Sequence, residues 1–286
     1  MTLNSIQKIG VVGAGTMGQG IAQICAMAGF SVVLFDVQHD ALIPALEKIS
    51  KNLDKGIDRG KVTSLEKENT LAKIVVKDTI ESLQCDLIIE AIVEDLGVKR
   101  ELFLQLEEIN SENTILASNT SSIPITKIAS VLKFPNRFVG MHFFNPAHIM
   151  KLVEVISGVA TDDKTAMLIY ELALKIGKVP VHAQDAPGFI VNRVARNYYV
   201  EGLKLLEEGV ADVESIDKLL EASGFKMGPF RLMDLIGVDT NFSVTTSMFN
   251  AFHQDPKFRP SRIQQQKVDA GYHGRKSGKG FYDYAS

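Results

Sequence analysis

At 286 residues, with 45% hydrophobic and 23% charged side chains, the chain is long enough for two globular domains and too balanced in composition for a disordered or fibrous protein. Its 31 basic and 34 acidic residues leave a formal charge of −3 with no block of one sign, which excludes an extended nucleic-acid footprint, and no apolar run approaches the roughly 18 residues that span a bilayer. Cys25 and Cys85 lack metal-ligand spacing and a disulfide-rich context, and residues 1–8 lack the build of a secretory signal, so no metal, no membrane contact and a cytoplasmic location are expected.

The first element is a short apolar strand over residues 8–14. Gly13-Ala14-Gly15-Thr16-Met17-Gly18 follows at once and leads into Ile21, Ala22, Ile24, Cys25 and Ala28 at helical spacing. Gly13 permits a tight turn, Gly15 lets a pyrophosphate approach the backbone, Gly18 allows close helix–strand packing, and the helix N-terminus offers unpaired N–H groups to the anion. Gly29 closes the helix, Ser31–Phe35 is a second buried strand, and Asp36 ends it about 20 residues beyond the glycines. An acid at that place hydrogen-bonds a ribose diol and repels a 2′-phosphate, which points to NAD over NADP.

Residues 40–70 change character. Leu42, Leu46, Ile49 and Leu53 keep helical spacing in a lysine-rich stretch that holds Lys48, Lys51, Lys55, Arg59, Lys61 and Lys67. Two readings stand side by side: a solvated helical hairpin, or a basic arm that reaches a phosphorylated substrate tail. Strands resume at Ile74–Val76, Asp86–Ala91 and Thr114–Ala117, with an amphipathic helix from Val98 to Ile109 between the last two.

Strand and helix in alternation imply a mostly parallel sheet with ligands outside the carboxyl ends of its strands. The residues at those ends are Asp36, Ile92-Val93-Glu94 and Ser118-Asn119-Thr120-Ser121-Ser122. Ser122 can cap a helix, but five consecutive hydrogen-bonding residues exceed what a cap needs. Residues 137–141 form the next strand and bring His142 to the same edge, followed by Phe143-Phe144-Asn145-Pro146; residues 152–156 form another, which carries Glu154. A carboxylate against one imidazole nitrogen fixes the tautomer and favours the protonated ring, as a general base requires. Taken alone, the pair also fits a satisfied core histidine and an exposed strand carboxylate.

A strand at Val179–His182 ends before Asp185-Ala186-Pro187-Gly188-Phe189-Ile190-Val191-Asn192-Arg193. Beyond it the periodicity is helical from Ile190 to about Phe252, with buried faces at Val194, Tyr198, Leu203 and Leu206 and at Val213, Ile216, Leu219 and Leu220. The expected architecture is an α/β Rossmann-type domain over residues 1–186, with a mostly parallel sheet and an inserted helical hairpin at about 40–70, then an all-α domain over residues 187–286.

Together, the glycine turn at 13–18, the run at 118–122, His142-Phe143-Phe144-Asn145-Pro146 with Glu154, the 185–193 segment and the ending Arg275-Lys276-Ser277-Gly278-Lys279-Gly280-Phe281-Tyr282 resemble the short-chain L-3-hydroxyacyl-CoA dehydrogenase family, in particular its bacterial 3-hydroxybutyryl-CoA members. The likeness covers about residues 7 to 284. It implies an NAD-dependent oxidoreductase of acyl-CoA substrates, with His142 as general base, Glu154 as its support, and Ser121 and Asn192 at the reacting oxygens, the last completing a cleft as domains close. It also implies Asn145 beside the histidine, Gly13, Ala14, Gly15, Thr16, Met17, Gly18, Asp36, Glu94, Lys99, Asn119 and Lys276 along the cofactor, and a CoA-contacting helix at 52–61 with Asn52, Lys55 and Arg59. A homodimer is expected on the same likeness. Dehydrogenases of other 3-hydroxyacyl-CoA esters or 3-hydroxy acids, and a non-catalytic NAD-binding protein, are the competing expectations.

Overall fold

Eight strands form one sheet: β1 (Lys8–Val12), β2 (Ser31–Phe35), β3 (Ile74–Lys77), β4 (Leu87–Glu90), β5 (Ile115–Ser118), β6 (Phe138–Phe143), β7 (Leu152–Ser157) and β8 (Val179–Gln184). The computed structural model describes residues 2–284 and divides into two units, one running to Ala186 and the other starting at Pro187. The strand order is β3-β2-β1-β4-β5-β6-β7-β8. All neighbours run parallel except β6 and β7, which pair antiparallel. Every position of β4, β5 and β6 is buried, as a parallel sheet covered on both faces requires.

The covering helices of the first unit are α1 (Thr16–Met27), α2 (Leu42–Asp58), α3 (Ser64–Ala72), α4 (Leu96–Ile109), α5 (Ile125–Ala129) and α6 (Asp163–Lys175). Helix α2 buries Leu42, Ala45, Ile49 and Leu53 and leaves its lysines outward, so one amphipathic helix both completes the core and presents a basic face. Helix α3 opens with a reciprocal cap between Thr63 and Glu66. The sequence pattern did not reveal α6, although Leu168, Ile169, Leu172 and Ala173 pack into the main core and Asp162 caps its start.

One local expectation needs correcting. Ser122 does not cap the helix that follows, because its N–H and hydroxyl both go to Glu94. Helix α5 starts three residues later, and the N–H groups of Ile125 and Thr126 are met by the Asp185 carboxylate at 2.9 and 2.8 Å. Pro124 carries no side-chain acceptor, so a residue distant in sequence takes over the cap.

The second unit holds α7 (Val191–Glu207), α8 (Val213–Ala222), α9 (Pro229–Ile236), α10 (Val238–Ala251) and α11 (Arg262–Asp269). The apolar stretch from Leu232 to Phe249 is divided at Gly237, whose φ of 108° only glycine tolerates readily, and α11 lies past the expected helical limit at Phe252. Its core gathers Tyr199, Leu203, Ile216, Phe230 and Met233. Buried Asp217 and Asp234 accept backbone N–H groups of Phe230, Arg231, Phe281 and Tyr282, which ties the end of the described chain to this unit. Among the described residues no helix is long and apolar enough to cross a membrane, and no cluster of three metal-ligating side chains occurs.

Candidate active site

The turn between β1 and α1 is shaped by close approaches. Gly13 has a φ of 107°, and a Cβ there would lie 2.4 Å from the Ala91 carbonyl; a Cβ on Gly18 would lie 1.7 Å from the Gly13 carbonyl. Gly15 differs. A Cβ on it would meet nothing within 4 Å, and α1 starts there with no side-chain cap, so open space adjoins the helix N-terminus. That cradle fits a pyrophosphate.

Asp36 is held rigidly at the end of β2: one oxygen accepts the Ala14 N–H at 2.6 Å and the other the Gln38 N–H at 2.8 Å. It lines a cavity of about 780 Å³ together with Gly13, Gly15 and Ile92. The wall of this cavity also carries Asp78, Glu81 and Glu101 and, among the described residues, no lysine or arginine. A ribose diol suits such a wall and an additional phosphate does not.

The next two strand ends are joined by carboxylates. Glu90, fully buried at the end of β4, accepts the Ser118 hydroxyl at 2.6 Å and the Ile92 N–H at 2.8 Å and pairs with the ammonium of Lys99. Lys99 is 1% exposed, and its ammonium lies 3.4 Å from Glu94 as well. Glu94 in turn gathers the 118–122 loop on one oxygen: the Thr120 hydroxyl at 2.6 Å, the N–H groups of Ser121 and Ser122 at 3.0 Å, and the Ser122 hydroxyl at 2.9 Å. Burial pushes its pKa up, but Lys99 and these donors outweigh that and hold the carboxyl below its usual range. The Ser121 hydroxyl stands 3.4 Å from the same oxygen.

The antiparallel register of β6 and β7 sets His142 directly opposite Glu154. Their side chains lie on one face, and Nδ1 meets Oε2 at 2.7 Å, with the imidazole 6% exposed and the carboxylate fully buried. The carboxylate at Nδ1 fixes the orientation of the ring and favours one tautomer. Phe144 stacks obliquely on the ring at 4.5 Å between centroids, and Asn119 accepts the Phe143 N–H at 2.9 Å, bracing the strand beside the histidine.

Beyond His142 the chain turns at a cis Asn145–Pro146 bond. Asn145 and His148 line a second cavity, of about 590 Å³, whose other wall comes from α1 and α2 and includes Asn52, Lys55 and Arg59. These two cavities thus carry opposite charge. In the second unit Asn192 lies in the first turn of α7, and the Lys276 ammonium is 2.7 Å from Asp239. Sequence reasoning gave no role to Glu90, His148 and Lys178, and named Asp185 only within the 185–193 segment, without its part in capping α5.

The geometry has counterparts. A family model described as "3-hydroxyacyl-CoA dehydrogenase, NAD binding domain" matches residues 8–186, and one described as "3-hydroxyacyl-CoA dehydrogenase, C-terminal domain" matches residues 188–284. A protein of Escherichia coli K12 named 3-hydroxyadipyl-CoA dehydrogenase is 49% identical over 98% of this chain, which spans 59% of that relative's length. A probable 3-hydroxybutyryl-CoA dehydrogenase of Bacillus subtilis is 44% identical over 98% of both chains. The crystal structure of (S)-3-hydroxybutyryl-CoA dehydrogenase from Ralstonia eutropha superimposes with a TM-score of 0.95 at 41% identity, covering 99% of this chain and 100% of the other.

Proposed function

The chain belongs to the 3-hydroxyacyl-CoA dehydrogenase family, and from that premise we propose that it interconverts (S)-3-hydroxybutyryl-CoA and acetoacetyl-CoA with NAD, as a cytoplasmic homodimer. The observation that carries this reading is the buried contact of His142 Nδ1 with Glu154 at 2.7 Å, on the same sheet edge as the glycine turn and Ser121. Gly13 to Gly18 and Asp36 hold NAD, with Glu94, Asn119, Lys99 and Lys276 assigned to that side. When bound, NAD accepts or supplies the hydride.

In the oxidising direction His142 Nε2 takes the C3 hydroxyl proton; in the reducing direction the imidazolium returns it to the forming alkoxide. Glu154 holds the ring in one tautomer and offsets the positive charge that develops on it. Ser121 and Asn192 orient the substrate oxygens, with Asn145 beside the ring. The basic cavity receives the CoA phosphates through Asn52, Lys55 and Arg59. Residues 1–186 act as the NAD-binding domain, and residues 187–286 contribute the rest of the substrate cleft and the dimer contact.

Assay of NADH oxidation with acetoacetyl-CoA beside free acetoacetate tests this directly. The CoA ester should be reduced with a KM at least about tenfold lower than the free acid, because the free acid makes no phosphate contacts. Equal KM values would remove CoA from the reading. The E. coli relative favours a second reading, in which the acyl chain is a longer dicarboxylic one. Comparison of kcat/KM for 3-oxoadipyl-CoA and acetoacetyl-CoA decides between them.

A further inference from the structure

We propose that His148 is a proton-linked contact for the anionic end of the substrate, so that seating the CoA phosphates draws a proton onto its ring; the inference rests on the acyl-CoA reading of this cavity. His148 is set on a rigid turn. The neighbouring Ala147 packs so tightly on α1 that a Cβ at Gly20 would lie 2.9 Å from its methyl group. Lys178, 7% exposed just before β8, donates to the carbonyls of Ala147 and Met150 at 2.5 and 2.8 Å and pins the turn from both sides. The imidazole is therefore presented to the cavity by a fixed backbone.

The surroundings of the ring are cationic on several sides. Lys48 and Lys55 come from α2, Arg59 and Lys61 from the turn after it, and Lys178 from the residue before β8. Helix α1 adds Thr16, Gln19 and Gln23 to the wall, and its buried Cys25, near Lys178, has its thiol pushed up to about 12 and carries no charge at neutral pH. Among the described residues lining the cavity there is no carboxylate. Burial first, then Lys178 and Lys55, hold the His148 ring below the usual imidazole range.

A neutral ring among lysines is the state of the cavity without a ligand. CoA brings phosphates that each carry one to about two negative charges, enough to reverse the local sign and favour imidazolium. The reversal is reciprocal: if binding draws a proton to His148, lower pH strengthens binding. Lys55 and Arg59 line the same cavity and supply the rest of the attraction. His148 thus adds an increment that grows as the pH falls.

Calorimetric titration of the full chain with CoA itself, at pH 6.5 in two buffers of different ionisation enthalpy, reads the proton directly. The native chain should take up a sizeable fraction of a proton more than His148→Gln, a difference that cancels the titration of the CoA phosphate common to both. Between pH 8 and pH 6 the native affinity should rise about three- to tenfold more than that of His148→Gln. His148→Lys, with a fixed charge, should bind tightly at both pH values. Equal proton uptake and equal pH slopes for native and His148→Gln proteins overturn the inference while leaving CoA binding intact. Failure of the native chain to bind CoA would instead sink the acyl-CoA reading on which it rests.

Discussion

Two carboxylates on one sheet edge, Glu154 and Glu94, are held by opposite means. Glu154 belongs to a strand, is fully buried, and meets His142 because the antiparallel register places them face to face. Glu94 lies on the loop after β4, and its position is set by donors from residues 120–122 and by Lys99. The first arrangement fixes a side chain through backbone geometry; the second fixes a loop through a side chain. A group that must handle a proton repeatedly suits the rigid frame, and a group that must hold a loop against a ligand suits the gathered one.

The comparison breaks most visibly at His142. His142→Gln should lower kcat by about 100- to 10,000-fold while NADH affinity, followed by fluorescence, changes less than about twofold. Comparable losses in both would show that the ring supports the fold or the cofactor and not the proton transfer. Next in size is Lys99→Met, which strands the fully buried Glu90 without its counter-charge. It should destabilise the chain by roughly 3 kcal/mol in denaturant titration. A shift below about 1 kcal/mol would mean that the loop network does not depend on this pair.

The smallest effect sharpens the contrast. Glu94→Gln should reduce stability at pH 7 by about 1 kcal/mol, since the neutral amide accepts the same bonds more weakly. The sign of its pH dependence follows from the lowered pKa: the native carboxylate contributes fully above its unfolded value of about 4.3 and loses that contribution as pH falls through the folded value. The difference between native and Glu94→Gln melting temperatures should accordingly narrow below about pH 4. A difference that stays constant with pH would place the stabilisation elsewhere.

How much could be read in advance follows the same division. Strands β1 to β8 were legible as short apolar runs, whereas the meeting of His142 with Glu154 was implied by the family resemblance and left open by the residues alone, since it depends on the one antiparallel pairing in the sheet. The function assigned to that contact is a separate matter and rests on the proposal above. The Asp185 cap on α5 spans 60 residues, so periodicity carries no trace of it. The Glu90–Lys99 pair was hidden differently, since a glutamate ending a strand and a lysine in a helix's first turn each look like exposed charges until the fold stacks them. Family resemblance assigned Lys99 to the cofactor; the structure gives its ammonium two carboxylate neighbours within the protein.

If His142 and Glu154 act as one proton-handling unit, their effects on kcat cannot add. The decisive measurement is the double-mutant cycle of His142→Gln, Glu154→Gln and both together, with kcat for acetoacetyl-CoA reduction as the readout. The account predicts that Glu154→Gln alone lowers kcat by about tenfold or more, yet lowers it by less than about twofold once His142 is already replaced. Equal losses from Glu154→Gln in both backgrounds would contradict it.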